Sequence, residues 1–203
     1  MDATRPVTAK GRATRERIVD AAAELAHQRG IHGTTNPEVR AAAGVSGSQL
    51  GHYFPDKESL IRAVLAKRAG QVVELTRGAD GGGLDSIDAL RAWADSYTRI
   101  PDVWEGGCRF GSLSSEILKT DPEIAGDVRA GFDRWLALFS GGLTAMRERG
   151  ELKEHADPNR LAVALLAAFE GGMLLAQAQR DTAPLTTALD AAIDYIRTFT
   201  DQS

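Results

Sequence analysis

A chain of 203 residues with 43% hydrophobic content and a net charge of -4 can bury a real core, and its size suits one small domain attached to a larger one. One cysteine, Cys108, excludes an internal disulfide and a cysteine-rich zinc site. No apolar run reaches 18 residues, since 161–169 stops at Glu170, and the N-terminus lacks the apolar centre of a signal peptide, which predicts a cytoplasmic protein with no membrane partner. The charge is uneven. Residues 1–17 carry Arg5, Lys10, Arg12, Arg15 and Arg17 against Asp2 and Glu16, a net +3, so a mildly basic head precedes an acidic body.

In chain order, nearly every segment has a helical period. From Arg15 to Arg29, Ile18, Ala22 and Leu25 form one apolar stripe that Gly30 can close. Thr35-Asn-Pro-Glu38 fits a capping box, with Pro37 tolerated in the first turn, and predicts a second helix from about Asn36 to Ala43. Gly44 and Val45 make a turn. Ser46-Gly-Ser-Gln49 is another capping box, opening a third helix that ends near Phe54. Two short helices joined by a glycine turn are a helix-turn-helix, whose second helix can enter a DNA major groove.

Pro55 and Asp56 punctuate the chain before a long helix from Lys57, with Leu60, Ile61, Val64, Leu65, Val72 and Val73 toward a core. The segment 78–85, GADGGGLD, reads as a flexible loop. It lacks the Lys-Ser/Thr ending and flanking strand of a phosphate-binding loop. Further helices are expected at about 85–99, 110–119, 122–149, 158–179 and 185–199, with breaks at Pro101, Pro122, Pro158 and Pro184. The fold class is therefore all-α, about nine helices: a three-helix DNA-binding head over 1–57, including a basic N-terminal arm, followed by a helical bundle over 58–203.

The segments TRERIVDAAAELAHQRGIHGTT and AAAGVSGSQLGHYFPDKESLIRAVL resemble the TetR family of bacterial transcriptional regulators across residues 15–65. Ile18, Ala21-Ala22, Gly30, Gly33-Thr34-Thr35, Ala43-Gly44-Val45-Ser46, Leu50, Tyr53-Phe54, Lys57 and Leu60 carry the resemblance. It implies a helix-turn-helix head, a body that binds a small-molecule effector, and a homodimer through the last two long helices. It also implies repression of transcription from double-stranded operator DNA, relieved by ligand. Two heads must then sit about 34–36 Å apart to reach successive major grooves.

Matching the family's DNA contacts residue by residue gives Thr35, Ser46, Ser48, Gln49, His52, Tyr53 and Lys57 as candidates, and exposes departures. Gly47 and Gly51 stand where the family usually carries side chains that meet DNA. Gln49 can pair with adenine through its amide, or spend the same amide on the capping box of Ser46. Pro37 stands where the family often has a basic residue. Arg40 stands where a small residue is usual: either its guanidinium turns outward to a phosphate or guanine, or the two helices pack less tightly.

In the body, Trp93, Tyr97, Phe110, Trp135, Phe169 and Met173 are the favoured lining of an apolar cavity, drawn from a wider aromatic set that includes Trp104 and Phe139. Glu170 interrupts an apolar helix face; it can orient a polar or cationic ligand, sit at a dimer seam, or hydrogen-bond to a serine or threonine. Cys108 reads as a small apolar residue rather than a sensor. No cofactor and no metal site are expected: His27, His32, His52 and His155 show no H-x-x-x-H spacing, and no G-x-S-x-G occurs. The competing reading is a family-like helical dimer that has lost specific DNA binding and serves as a ligand- or partner-binding protein.

Overall fold

The computed structural model of the chain describes residues 8–77 and 83–200. Among these lie nine α-helices: α1 Ala9–Arg29, α2 Asn36–Ala43, α3 Gly47–Tyr53, α4 Lys57–Arg77, α5 Ile87–Thr98, α6 Arg109–Thr120, α7 Ala125–Glu148, α8 Pro158–Gln179 and α9 Ala183–Arg197. Short 3-10 turns at Val103–Glu105 and Pro122–Ile124 precede α6 and α7. Among the described residues the one β-type pairing is an isolated bridge between Leu152 and Thr200.

The chain forms two compact units. One comprises the residues through Arg68 together with Leu113–Val128, the other Ala69–Ser112 with Arg129 onward, so α4, α6 and α7 contribute to both.

In the first unit α1 packs on α2 and α2 on α3. The stripe expected on α1 is buried at Ile18 and Ala22, joined by Val19 and Ala23, and meets a core of Val39, Leu50, Phe54, Leu60, Ile61, Val64 and Leu65. Gly44 ends α2 at φ 64°, a left-handed conformation that suits glycine, and its N–H reaches back to Ala41 and Arg40. Arg68 is buried, with its guanidinium donating to the Ala23 carbonyl at 2.7 Å. Burial without such a partner would cost several kcal/mol.

The first helix starts earlier than its apolar period. Thr8 caps it, accepting from the Gly11 N–H at 3.1 Å, so residues 9–17 are helix rather than arm. Its first two turns are mostly exposed, and a solvated turn leaves no hydrophobic period to read. Residues 1–7 of the expected arm, and 78–82 of the glycine loop, lie outside the described residues. The helix expected at 122–149 opens as the 3-10 turn at Pro122 and becomes α-helical at Ala125.

In the second unit α9 packs against α8 and α5. Its stripe of Leu185, Leu189, Ile193 and Ile196 is wholly buried, as its four-three spacing requires. Gly172 of α8 permits this approach, since a Cβ there would stand 3.0 Å from Leu185 and Ala188. The loop into α5 is fixed by Arg149, which pairs with Asp85 at 2.9 Å and with Glu151 at 2.7 Å. Ser86 caps the helix by accepting from the Ala89 N–H at 3.0 Å.

Candidate DNA interface and ligand site

The helix-turn-helix is assembled by its two capping residues. Glu38 accepts from the Thr35 N–H at 3.2 Å and from the Thr35 hydroxyl at 2.7 Å, and it also pairs with Arg29. The hydrogen bonds from Thr35 hold its carboxyl below the usual carboxylate range. At α3, Ser46 Oγ accepts from the Gln49 N–H at 3.1 Å while Gln49 Oε1 accepts from the Ser46 N–H at 2.9 Å. The Gln49 amide oxygen is therefore spent on the cap, and reading an adenine with both amide atoms would require releasing it. Ser48 shares its hydroxyl with that of Ser46 at 2.9 Å.

Leu50 and Phe54 point into the core, as expected from their four-residue spacing. Thr35, Arg40, Ser46, Ser48, Gln49, His52 and Lys57 are exposed, and Tyr53 is half-buried. His52 and Tyr53 meet edge to face at 5.0 Å. The Arg15 guanidinium lies 5.1 Å from the Phe54 ring centre, a cation-π contact that ties α1 to the end of the recognition helix. A Cβ on Gly51 would meet open space.

Arg40 turns outward. It is exposed, and a methyl group built on Gly47 would lie 3.5 Å from Nη1, 3.6 Å from Cζ and 3.8 Å from Nε. The guanidinium thus lies beside the first residue of α3 while the side chain as a whole remains exposed.

Sequence reading missed one group that fixes this unit. Glu116 of α6 accepts the backbone N–H groups of Ile31 at 2.9 Å and His32 at 3.0 Å. Gly30, at φ 77°, brings the backbone so close that a Cβ there would lie 3.0 Å from both carboxylate oxygens. The His32 ring stands 2.7 Å from Thr120 Oγ1 and 3.4 Å from Asp121. Nothing in a one-dimensional pattern pairs residues 85 positions apart.

The second unit gathers the predicted aromatic residues. Trp93 and Tyr97 of α5 both meet Phe169 of α8, with ring centres 5.5 and 4.8 Å away, and Trp135 of α7 meets it at 5.4 Å. Phe110 of α6 stacks near Trp135 at 6.4 Å, and Phe139 adds an edge contact to Trp93 at 4.8 Å. Met173 is buried one turn beyond Phe169. Phe132, unremarked in the sequence, packs on Phe110 at 4.7 Å. Trp104 is half-buried in the 3-10 turn before α6.

Polar atoms are set among these rings. Trp135 Nε1 donates to Thr76 Oγ1 at 2.8 Å. Trp93 Nε1, the Tyr97 hydroxyl and Glu170 Oε1 are buried without a well-aligned hydrogen-bond partner. Burial pushes the Glu170 carboxyl and the Tyr97 hydroxyl up from their ordinary pKa values, as burial does to any group that charges on losing a proton. The same cause raises the Cys108 thiol, which lies beside Glu170 and stays neutral, consistent with an inert small residue. Glu170 is seated on Gly111, where any Cβ would overlap its carboxylate. Among the described residues no cluster of three His, Cys, Asp or Glu side chains could hold a metal ion.

Residues 18–64 match the family model for bacterial regulatory proteins of the tetR family, and residues 83–192 match that for the tetracyclin repressor-like C-terminal domain. The chain is 31% identical over 179 residues to an uncharacterized HTH-type transcriptional regulator of Mycobacterium tuberculosis, covering 84% of this chain and 88% of the relative. It is 27% identical over 194 residues to the HTH-type transcriptional repressor NemR of Escherichia coli, covering 91% and 94%. A TetR transcriptional regulator of Chloroflexus aurantiacus superposes with a TM-score of 0.83 at 28% identity, covering 97% of this chain and all of that one. The exposed helix-turn-helix face, the helical body and these matches agree: the chain belongs to the TetR family and is a ligand-responsive, DNA-binding transcriptional regulator.

Proposed function

We propose that this regulator is a repressor that binds a palindromic operator as a homodimer and leaves it when a small molecule enters the aromatic cluster of its body. Residues 1–57 would read DNA, and 58–203 would bind effector and partner. The observation that carries the reading is the exposed polar face formed by Thr35, Arg40, Ser46, Ser48, Gln49, His52 and Lys57, with half-buried Tyr53 at its edge. Lys57, Tyr53, Thr35 and the two serines suit phosphate, and Arg40 and His52 can reach bases. A protein that acts on bacterial operator DNA works in the cytoplasm.

For the dimer, α8 is apolar on more than its buried face. It exposes Val163, Leu174 and Leu175, and α9 exposes Tyr195. A patch of this kind on two adjacent helices fits a two-fold, four-helix interface. For the effector, the rings of Trp93, Tyr97, Phe110, Trp135 and Phe169 now touch one another, so a ligand must part them and thereby favour a second arrangement of the body. A ligand can shift the DNA-binding equilibrium only by its preference for that arrangement. Trp93 Nε1, the Tyr97 hydroxyl and Glu170 Oε1, buried without a well-aligned hydrogen-bond partner, fit a largely apolar molecule with one polar or cationic end.

Selection of bound duplexes from a random pool tests the reading. It expects two inverted half-sites whose centres lie about one helical turn apart, with two chains per duplex. Enrichment of nothing, or of one isolated half-site, contradicts it.

A further inference from the structure

In a helix-turn-helix the first residues of the recognition helix reach the base edges. Here those positions are nearly empty of free donors and acceptors. Gly47 has no side chain, the Ser48 hydroxyl is engaged with Ser46, and the Gln49 amide oxygen closes the capping box. The group that occupies the space in front of Gly47 comes from the preceding helix: the Arg40 guanidinium.

Its geometry is informative. Nη1, Cζ and Nε lie at 3.5, 3.6 and 3.8 Å from the position of a Gly47 Cβ. The central carbon is about as near as the nitrogens, which an edge-on approach does not allow, so the planar group turns its face to the space that a side chain on Gly47 would fill. A guanidinium stacked by its face keeps its N–H edges free, and the Arg40 side chain has no hydrogen bond or ion pair to any described residue. Arg29, by contrast, is tied to Glu38. A free, planar, pre-oriented fork is the donor set that pairs with guanine O6 and N7 in the major groove.

We propose that Arg40, carried by α2 with its guanidinium facing Gly47 of α3, reads one guanine in each operator half-site, and that position 47 stays small because a side chain longer than alanine's would take the guanidinium's seat. The inference deepens the operator reading above. An arginine that serves only to balance the end of α2 would alter helix stability and leave base preference untouched.

The test measures base preference at every operator position for the full-length protein and four variants, in parallel with a salt titration. Arg40→Ala should lose the guanine preference at one symmetric pair of positions by roughly 5- to 150-fold, with the other positions unchanged, and Arg40→Lys, whose ammonium can still donate but lacks the planar fork, should keep only part of it. Replacing that guanine by 7-deazaguanine, which removes the N7 acceptor, should weaken the wild type and leave Arg40→Ala unaffected. Gly47→Ala should behave as wild type, because a methyl group at 3.5 Å is an ordinary contact. Gly47→Leu should lose the same guanine preference with Arg40 still in place.

Uniform weakening on all sequences in Arg40→Ala, with a salt slope reduced by about one, would mark a phosphate contact and overturn the inference. A folded Gly47→Leu protein with its guanine preference intact would overturn the role given to the small residue at position 47, and so would a Gly47→Ala protein that loses the preference. A wild type with no preferred sequence removes the operator reading as well. A preferred sequence that Arg40→Ala leaves intact removes this inference alone.

Discussion

The Glu116 carboxylate receives the N–H groups of Ile31 and His32, closing the α1–α2 corner from α6 across 85 residues of chain. These are charge-assisted bonds to a backbone that has no helix of its own at that point, and the corner sets the line along which α2 leaves α1. Glu116→Ala should therefore destabilise the protein by about 1–3 kcal/mol, because a part-buried donor loses its acceptor. Chemical denaturation of both proteins checks this. Gly30→Ala should be at least as harmful, since alanine meets both a positive φ and the same carboxylate.

Glu170 should couple stability to pH. Its folded-state pKa is raised by burial, so the fold binds this proton more tightly than the unfolded chain does. The resulting stabilisation is fully present below the unfolded pKa and is lost as pH rises through the folded value. Glu170→Gln remains neutral throughout. Thermal melts should show the variant gaining on wild type as pH is raised from about 4, the ordinary carboxylate range, toward neutrality; an advantage that stays constant with pH would assign the effect to packing alone.

Gly51 leaves a gap that can be filled. A Cβ there meets nothing, so Gly51→Ala should add about 0.5–1 kcal/mol through helix propensity. Gly51→Tyr should in addition raise general DNA affinity, as read by fluorescence anisotropy on a random duplex. Weaker binding by a well-folded Gly51→Tyr protein would show that the backbone itself approaches DNA at this position.

The paired substitution Leu174→Glu with Leu175→Glu places charge on the exposed apolar face of α8, where both leucines are more than half exposed in the single chain. If two copies meet there, sedimentation should shift from dimer to monomer, and operator affinity should fall with it. A variant that remains dimeric would move the interface elsewhere.

Much of this architecture was legible because periodicity and punctuation agreed. Pro158 after Asp157 starts α8, and Gly44 ends α2, each for a reason stated in the backbone itself. The start of α1 was not legible, because Thr8 to Arg17 is solvated and carries little apolar period. At the DNA face the residue types were visible, yet their allocation was not: whether Gln49 caps or reads, and where Arg40 points, depends on distances between α2 and α3. The aromatic set was named from composition and helix placement, whereas Glu170 against Gly111 and Glu116 against Ile31 arise from chain separations that no local pattern encodes.

Every role proposed for this protein depends on sequence-specific DNA binding by a recognition helix that contains two glycines, Gly47 and Gly51. The most direct measurement of that binding is a salt-dependent titration of the protein on its selected operator and on a random duplex of equal length. A preference for the operator of roughly 10³-fold or more is expected at physiological salt, with affinity on both duplexes falling as salt rises. Equal affinity for the two duplexes at every salt concentration would contradict it.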